Sequence, residues 1–258
     1  MKGKLKIVVN GCSFTYGAES VYHNVQLHED NFNSSYPMLL DKKLKNGKVI
    51  NLATCGKSNA TIFCQTINYL FDNPYQNNDI VFIIQWSWPE RWPILSTEID
   101  TGAAQEVKLG RLIENNSAQR KKKYVFNFPA CENLTFSYIF ALMNIFDNMN
   151  IKHLHYMSTS FESHLPPLMQ KQLEQSPQFE IGPRREFFTY NLDNLINKIR
   201  NHDNFVMDNW SVYMMKKNKI ESRKKGTNHP DKHSHQEWTD ELIEILLNKG
   251  YISSEEIL

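Results

Sequence analysis

Five short apolar runs recur along the chain, separated by segments whose apolar residues follow helical spacing. The runs occupy residues 5–9, 49–53, 80–84, 151–157 and 204–207. The spacing of the apolar residues between these runs predicts helices over about 36–46, 60–72, 132–149 and 191–200. It also predicts a last helix that ends at 248. The third run is continuously apolar, which is typical of a central parallel strand covered on both faces. This alternation predicts an α/β protein built on one doubly wound parallel sheet.

Two segments without clear periodicity interrupt this alternation, at about 97–125 and 158–188. We interpret both as insertions. The first ends in a basic run at 120–123, which is typical of a solvated surface and less often of a polyanion contact. Since the chain contains no linker, repeat or low-complexity tract, we expect residues 1–258 to form a single domain.

The net charge, the apolar runs and the cysteines limit the functions that we expect for this chain. The formal net charge of the 258 residues is +1, which gives no reason to expect a nucleic-acid partner. No apolar run reaches the roughly 18 residues of a membrane helix, and the start of the chain lacks the pattern of a secretory signal. The four cysteines form no CxxC pair, so we expect neither a zinc site nor another cofactor. We expect a cytoplasmic protein, and its richness in Asn, Lys and Ile favours a microbial or viral source.

Candidate chemistry begins where the first strand ends, at Gly11-Cys12-Ser13-Phe14-Thr15-Tyr16-Gly17. Taken alone, this polar turn allows two interpretations. Ser13 either caps the next helix or serves as a functional group at a ligand-binding strand end.

Three later segments favour a functional interpretation of that turn. Polar turns follow the second strand, at Gly56, and the third strand, at Ser87, and His229-Pro230 precedes the last helix. The carboxyl ends of neighbouring parallel strands converge on one crevice. A serine needs a base to become a nucleophile, and backbone N–H groups at glycine turns can hold an oxyanion. We therefore expect Ser13, Gly56, Ser87 and His229 to share one site.

These blocks resemble those of the SGNH/GDSL hydrolases, a family of serine esterases. The resemblance implies a flavodoxin-like three-layer α/β/α sandwich with a five-stranded parallel sheet. It also implies that Ser13 is the nucleophile and His229 the general base. Oxyanion donors would be the N–H groups of Ser13 and Gly56, with Ser87 at the position of the family's asparagine and Gln85 as a second candidate.

The chain departs from the family pattern at the acid that orients the histidine. That acid usually lies three residues before the histidine, where this chain has Gly226. Asp208 and Asp231 are the nearest candidates, and a Ser–His dyad oriented by a backbone carbonyl is the alternative. Cys12 replaces the family's aspartate and is a second, less favoured nucleophile.

Three tryptophans and Arg91 crowd the segment after the third strand. They predict either a packed aromatic cluster or a ligand-contacting loop, and in the second case Asn59, Trp86 and Arg91 would bind substrate. The resemblance implies a carboxylic ester hydrolase that forms an acyl-enzyme on Ser13. Its substrate would be a small-molecule or carbohydrate ester, preferably O-acetylated. The alternatives are a catalytically weakened glycan- or protein-binding domain and, third, a flavodoxin-like phosphate binder.

Overall fold

A five-stranded parallel sheet forms the centre of the described part of the chain. The computed structural model describes residues 4–22, 27–73, 80–88, 128–159, 193–210, 213–214 and 229–258. The strands are β1 (Lys6–Asn10), β2 (Lys48–Asn51), β3 (Ile80–Trp86), β4 (Lys152–Met157) and β5 (Phe205–Met207). Their order is β2-β1-β3-β4-β5, which is the flavodoxin-like order of doubly wound sheets. The predicted fold class is confirmed.

Helices connect the strands and cover both faces of the sheet. They are α1 (Ser13–Tyr16), α2 (Glu29–Asn33), α3 (Tyr36–Lys43), α4 (Asn59–Asp72), α5 (Phe128–Asn148), α6 (193–200) and α7 (Lys232–Asn248). A 3₁₀ turn at Ser254–Glu256 follows. In the described ranges no helix combines the length and apolar character needed to cross a membrane.

Alternate side chains of β3 enter two separate cores. Val81 and Ile83 pack with apolar residues of α3 and α7, whereas Phe82 and Ile84 pack with those of α4 and α5. This two-sided burial explains why the strand is continuously apolar. The helix–sheet–helix layering predicted above is therefore present.

Two helices have polar first turns, so the apolar spacing did not show where they begin. Helix α2 lies between Glu19 and Ser35, where the apolar spacing predicts no helix, and the His28 side chain caps its N-terminus. Helix α7, for which the sequence predicts only the end at 248, begins at Lys232, and Asp231 caps it by accepting a hydrogen bond from the Ser234 N–H. Neither start carries the apolar spacing that predicts a helix. The insertion predicted at 97–125 lies outside the described residues, as does all but the start of that at 158–188.

Candidate active site

The turn after β1 has a fixed geometry because the Asn10 side chain ties it to helix α4. Asn10 donates from Nδ2 to Ile62 O (3.1 Å) and Thr66 Oγ1 (2.9 Å), and its Oδ1 accepts the Gly11 N–H (2.9 Å). A Cβ at Gly11 would lie 2.1 Å from Thr15 Oγ1, so a larger residue does not fit there. The chain is thereby directed into the first turn of α1 at the carboxyl edge of the sheet.

Ser13 is the first residue of α1 and does not cap it. Cys12 occupies the N-cap position and is fully buried. Ser13 is 4% exposed, and its Oγ lies 2.9 Å from His229 Nε2. The structure therefore favours the functional interpretation of this turn over the capping one, and the histidine contacts Ser13 rather than Cys12.

The second ring nitrogen of His229 contacts a carboxylate. His229 Nδ1 lies 3.0 Å from Glu19 Oε2, and both side chains are 15% exposed. The Phe14 ring packs against the imidazole at a centroid distance of 4.9 Å. With the proton on Nδ1 donated to Glu19, the lone pair of Nε2 accepts the hydrogen bond of the Ser13 hydroxyl and can take its proton. The three side chains form one hydrogen-bonded chain from carboxylate to hydroxyl.

A tight turn after α1 returns Glu19 to the histidine. Gly17 ends the helix with φ = 81°, and the Ala18 N–H donates to Ser13 O (3.0 Å). A Cβ at Gly17 would lie 2.6 Å from Asn31 O, so this position requires glycine for both space and conformation. Glu19 itself has φ = 61°, a left-handed conformation that costs an ordinary residue about 1 kcal/mol. Such strain is characteristic of functional positions.

The segment that follows Glu19 is held from two sides. Asn31 is fully buried, and its Oδ1 accepts hydrogen bonds from the N–H groups of Val21 (2.8 Å) and Tyr22 (2.9 Å). The Lys232 N–H at the start of α7 donates to Ser20 O (3.1 Å). Because His229 lies just before α7, this bond links the segment that carries the carboxylate to the one that carries the imidazole.

The two acids expected to orient His229 have other partners. Asp208 pairs with Arg200 Nη2 at 3.1 Å, and Asp231 Oδ1 accepts hydrogen bonds from both N–H and Oγ of Ser234. The carboxylate that contacts His229 is Glu19, which the sequence does not predict as a partner of the histidine. The signal that could have found it is a carboxylate two residues after Gly17, because a left-handed glycine that ends a one-turn helix reverses the chain towards the nucleophile.

The predicted oxyanion donors follow the two strands that flank β1. Gly56 lies in the turn after β2 with φ = 79°, and Val9 pairs with Asn51 in the parallel register. Ser87 directly follows β3, is fully buried, and its Oγ has no hydrogen-bond partner among the described residues. The three turns that carry Ser13, Gly56 and Ser87 are therefore neighbours at one sheet edge.

Gln85, the second candidate at the third turn, lies under the nucleophile turn. Its Oε1 accepts a hydrogen bond from Thr15 Oγ1, and its Cβ lies 3.0 Å from where a Gly11 Cβ would stand. Its Nε2 is buried with no partner in the described part of the chain. Gln85 therefore supports the turn that carries Ser13.

Two of the three predicted substrate-binding residues have structural roles. Asn59 accepts the Ser87 N–H at 2.7 Å and donates to Ser87 O (3.2 Å), Trp88 O (3.1 Å) and Thr135 Oγ1 (3.2 Å), so it fixes the third turn. Trp86 is fully buried in β3, and its Nε1 donates to His155 Nδ1 (3.0 Å), which makes it unavailable to a substrate. Arg91 lies outside the described residues. Among the tryptophans that the structure describes, Trp88 lies at the surface and is 40% exposed.

No protein-family model and no curated protein sequence matches the chain. Its structure is similar to a member of the lipolytic G-D-S-L protein family from Veillonella parvula, with 10% identity and a TM-score of 0.47, over 93% of this chain and 97% of that one. It is also similar to the psychrotrophic esterase EstA from Pseudoalteromonas sp., inhibited by monoethylphosphonate, with 12% identity and a TM-score of 0.43 over 94% and 98% of the two chains. A third similar structure is a carbohydrate esterase whose active site is described as displaying divergent catalytic and non-catalytic binding functions. It has 13% identity and a TM-score of 0.40, over 97% of this chain and 71% of that one.

Proposed function

We propose that this protein is a serine esterase that forms an acyl-enzyme on Ser13. The observation that carries the proposal is the continuous contact from Glu19 through His229 to Ser13, with distances of 3.0 and 2.9 Å. A nucleophile, a base and a group that orients the base are the parts that acyl transfer requires. Their chain order is serine, carboxylate, histidine.

The reaction follows from this arrangement. His229 Nε2 takes the hydroxyl proton as Ser13 Oγ bonds to the ester carbon, and Glu19 stabilises the imidazolium that forms. The tetrahedral intermediate then collapses, the bond to the leaving oxygen breaks, and His229 protonates the departing alcohol. Water attacks the acyl-enzyme in the same way. The products are a carboxylic acid and free Ser13.

The negative charge of the intermediate needs preorganised donors. We assign this role to the N–H groups of Ser13 and Gly56 and to the hydroxyl of Ser87. The support for Ser87 is its burial beside the site without a partner in the described residues. Each such donor contributes about 10²–10³-fold to the rate of acyl transfer.

The substrate we propose is a short-chain O-acyl group, such as acetyl, on a carbohydrate. Trp88 follows Ser87 directly and exposes an aromatic surface on which a sugar ring can pack. A panel of nitrophenyl esters of increasing chain length, beside acetylated sugars, would rank the acyl groups. We expect acetyl to be preferred over octanoyl, and equal rates with both would argue against a short-chain preference.

A fluorophosphonate probe tests the nucleophile without knowledge of the natural ester. We expect one covalent adduct on Ser13 in the native protein, none in Ser13→Ala, and full labelling in Cys12→Ala. The last variant separates labelling of Ser13 from labelling of the Cys12 thiol, the second candidate nucleophile on this turn. If the native protein is not labelled between pH 6 and 9, the esterase proposal fails and a glycan- or protein-binding role takes its place.

A further inference from the structure

Lys57 is a buried cation beside the proposed oxyanion site. It follows Gly56 in the second turn and is only 2% exposed. Its Nζ contacts three neutral oxygens, which are Asn10 Oδ1 (3.1 Å), Leu52 O and Gln65 Oε1. An ammonium group has three hydrogens to donate, so these contacts match its donor capacity.

These contacts join the turns that we propose hold the oxyanion. Asn10 ends β1, and the same Oδ1 that accepts from Lys57 also accepts the Gly11 N–H, two residues before Ser13. Leu52 follows β2, and Gln65 belongs to helix α4. One side chain therefore connects the nucleophile turn, the Gly56 turn and the helix behind them.

Neutral side chains could tie these turns together at a lower desolvation cost. Burying an ammonium group is expensive even when its hydrogens are satisfied. The neighbouring proposed chemistry develops a negative charge, and a fixed positive charge in a poorly solvated site stabilises such a charge strongly. The placement of a lysine here, rather than a glutamine or a methionine, is explained by that charge.

We propose that Lys57 is a positioning residue that holds the Ser13 and Gly56 turns together and whose positive charge stabilises the oxyanion formed between them. The inference rests on the proposed esterase function. It assigns to Lys57 no contact with substrate, because the ammonium hydrogens are engaged by Asn10, Leu52 and Gln65. Lys57 acts by holding the two turns in position and through the electric field of its ammonium group.

Gln65 offers a matched pair of variants that separate the charge of Lys57 from its contacts. Gln65→Glu keeps the size of the side chain and its bond to Lys57 but adds a compensating negative charge. Gln65→Met removes that bond and adds no charge. If Lys57 acts only as a structural link, Gln65→Glu strengthens the link and Gln65→Met weakens it, so Gln65→Met should react more slowly. If the charge of Lys57 stabilises the oxyanion, Gln65→Glu should react more slowly.

The readout is the second-order rate constant of fluorophosphonate labelling at Ser13, together with kcat and KM on a nitrophenyl ester and the melting temperature. For Lys57→Met we expect labelling and kcat to fall about 10- to 100-fold with little change in KM, a smaller loss than removal of a direct oxyanion donor causes. Lys57→Arg should recover part of this loss. Gln65→Glu should label more slowly than Gln65→Met.

The possible results separate the two proposals. If native protein is labelled and Lys57→Met is labelled at the same rate, the role of Lys57 is wrong while the esterase stands. If Gln65→Met is slower than Gln65→Glu, the tie is structural and the electrostatic role is wrong, and this comparison holds even where Lys57→Met does not fold. If native protein is not labelled at all, the proposed function itself is wrong.

Discussion

Histidines contact carboxylates in two regions of the molecule that lie near opposite edges of the sheet. At the carboxyl edge, His229 lies between Glu19 and Ser13. Near the amino end of β4, Asp147 contacts two histidines instead, His153 Nε2 at 2.9 Å and His202 Nε2 at 2.8 Å. A histidine ring and a carboxylate are in contact in both places, although the acid is a glutamate in one and an aspartate in the other.

The surroundings decide what each pair can do. Fully buried His153 also contacts the Asn204 side chain at 3.0 Å. Burial lowers the pKa of His153 although Asp147 opposes this shift, so the ring is neutral near pH 7. Burial also acts to raise the pKa of Asp147, but its bonds to His153 and His202 outweigh it and leave that pKa lowered. This region has the contacts of a structural network, whereas His229 is within reach of both a nucleophile and solvent.

We expect the largest loss of kcat when the nucleophile or the base is removed. Ser13→Ala and His229→Ala should each lower kcat by about 10⁴-fold or more, because each removes a part without which the others act poorly. His202→Gln, in the other region, should leave kcat within about twofold while lowering the melting temperature. Ester turnover and thermal unfolding measured on all three variants check this. A large loss of kcat in His202→Gln would contradict the separation of the two regions.

Removal of the acid that orients His229 should have the next largest effect on kcat. Glu19→Gln leaves the shape of the side chain but removes the charge that stabilises the imidazolium, so kcat should fall about 10²- to 10⁴-fold with KM little changed. Asp147→Asn is the matched change in the other region, and it should act on the free energy of unfolding rather than on kcat. Steady-state kinetics and urea unfolding distinguish the two. Equal effects of Glu19→Gln and Asp147→Asn on kcat would contradict the functional difference between the two regions.

Acid should destabilise the protein through its fully buried histidines. Burial lowers the pKa of His235 to about 3, and burial also holds the pKa of His155 well below its usual value. On acidification below about pH 6.5 the unfolded chain takes up these protons first, so the stability present above that pH is lost as the pH falls. For His235 alone the loss at pH 5 is about 2 kcal/mol.

The matched variant for this effect is His235→Asn, whose side-chain oxygen can replace Nδ1 as the acceptor of the Tyr36 N–H. Urea unfolding between pH 7.5 and 5 should show a smaller loss of stability in this variant than in the native protein. An unchanged pH dependence would show that His235 is not responsible.

The smallest expected effect concerns the strained backbone at Glu19. Asparagine tolerates the left-handed conformation better than glutamate does. Glu19→Asn should therefore raise the free energy of unfolding by a few tenths up to about 1 kcal/mol while it removes the acid from His229. Urea unfolding measures the gain, and a clear loss of stability would show that the contact with His229 outweighs the strain.

The sequence predicted the sheet and the strand-end turns, because these depend on periodicity and on local turn residues. The resemblance to the serine esterases implied that Ser13 is paired with His229. The sequence did not predict Glu19, since a left-handed backbone at a non-glycine residue has no signature in residue spacing. It named Trp86 and Asn59 as substrate-binding residues, whereas Trp86 is buried in the core and Asn59, the first residue of α4, fixes the turn after β3. An aromatic or amide side chain beside a strand-end turn looks the same in the sequence whether it points into the core or towards a ligand.

The most direct test compares Glu19, which contacts His229, with Asp208 and Asp231, the two acids that the sequence suggests as its partners. The rate of fluorophosphonate labelling at Ser13 would be measured in Glu19→Gln, Asp208→Asn and Asp231→Asn, with circular dichroism to confirm folding. The account predicts that Glu19→Gln slows labelling at least about 100-fold and that the other two stay within about twofold of the native rate. Labelling of Glu19→Gln at the native rate, or a comparable loss in either aspartate variant, would contradict it.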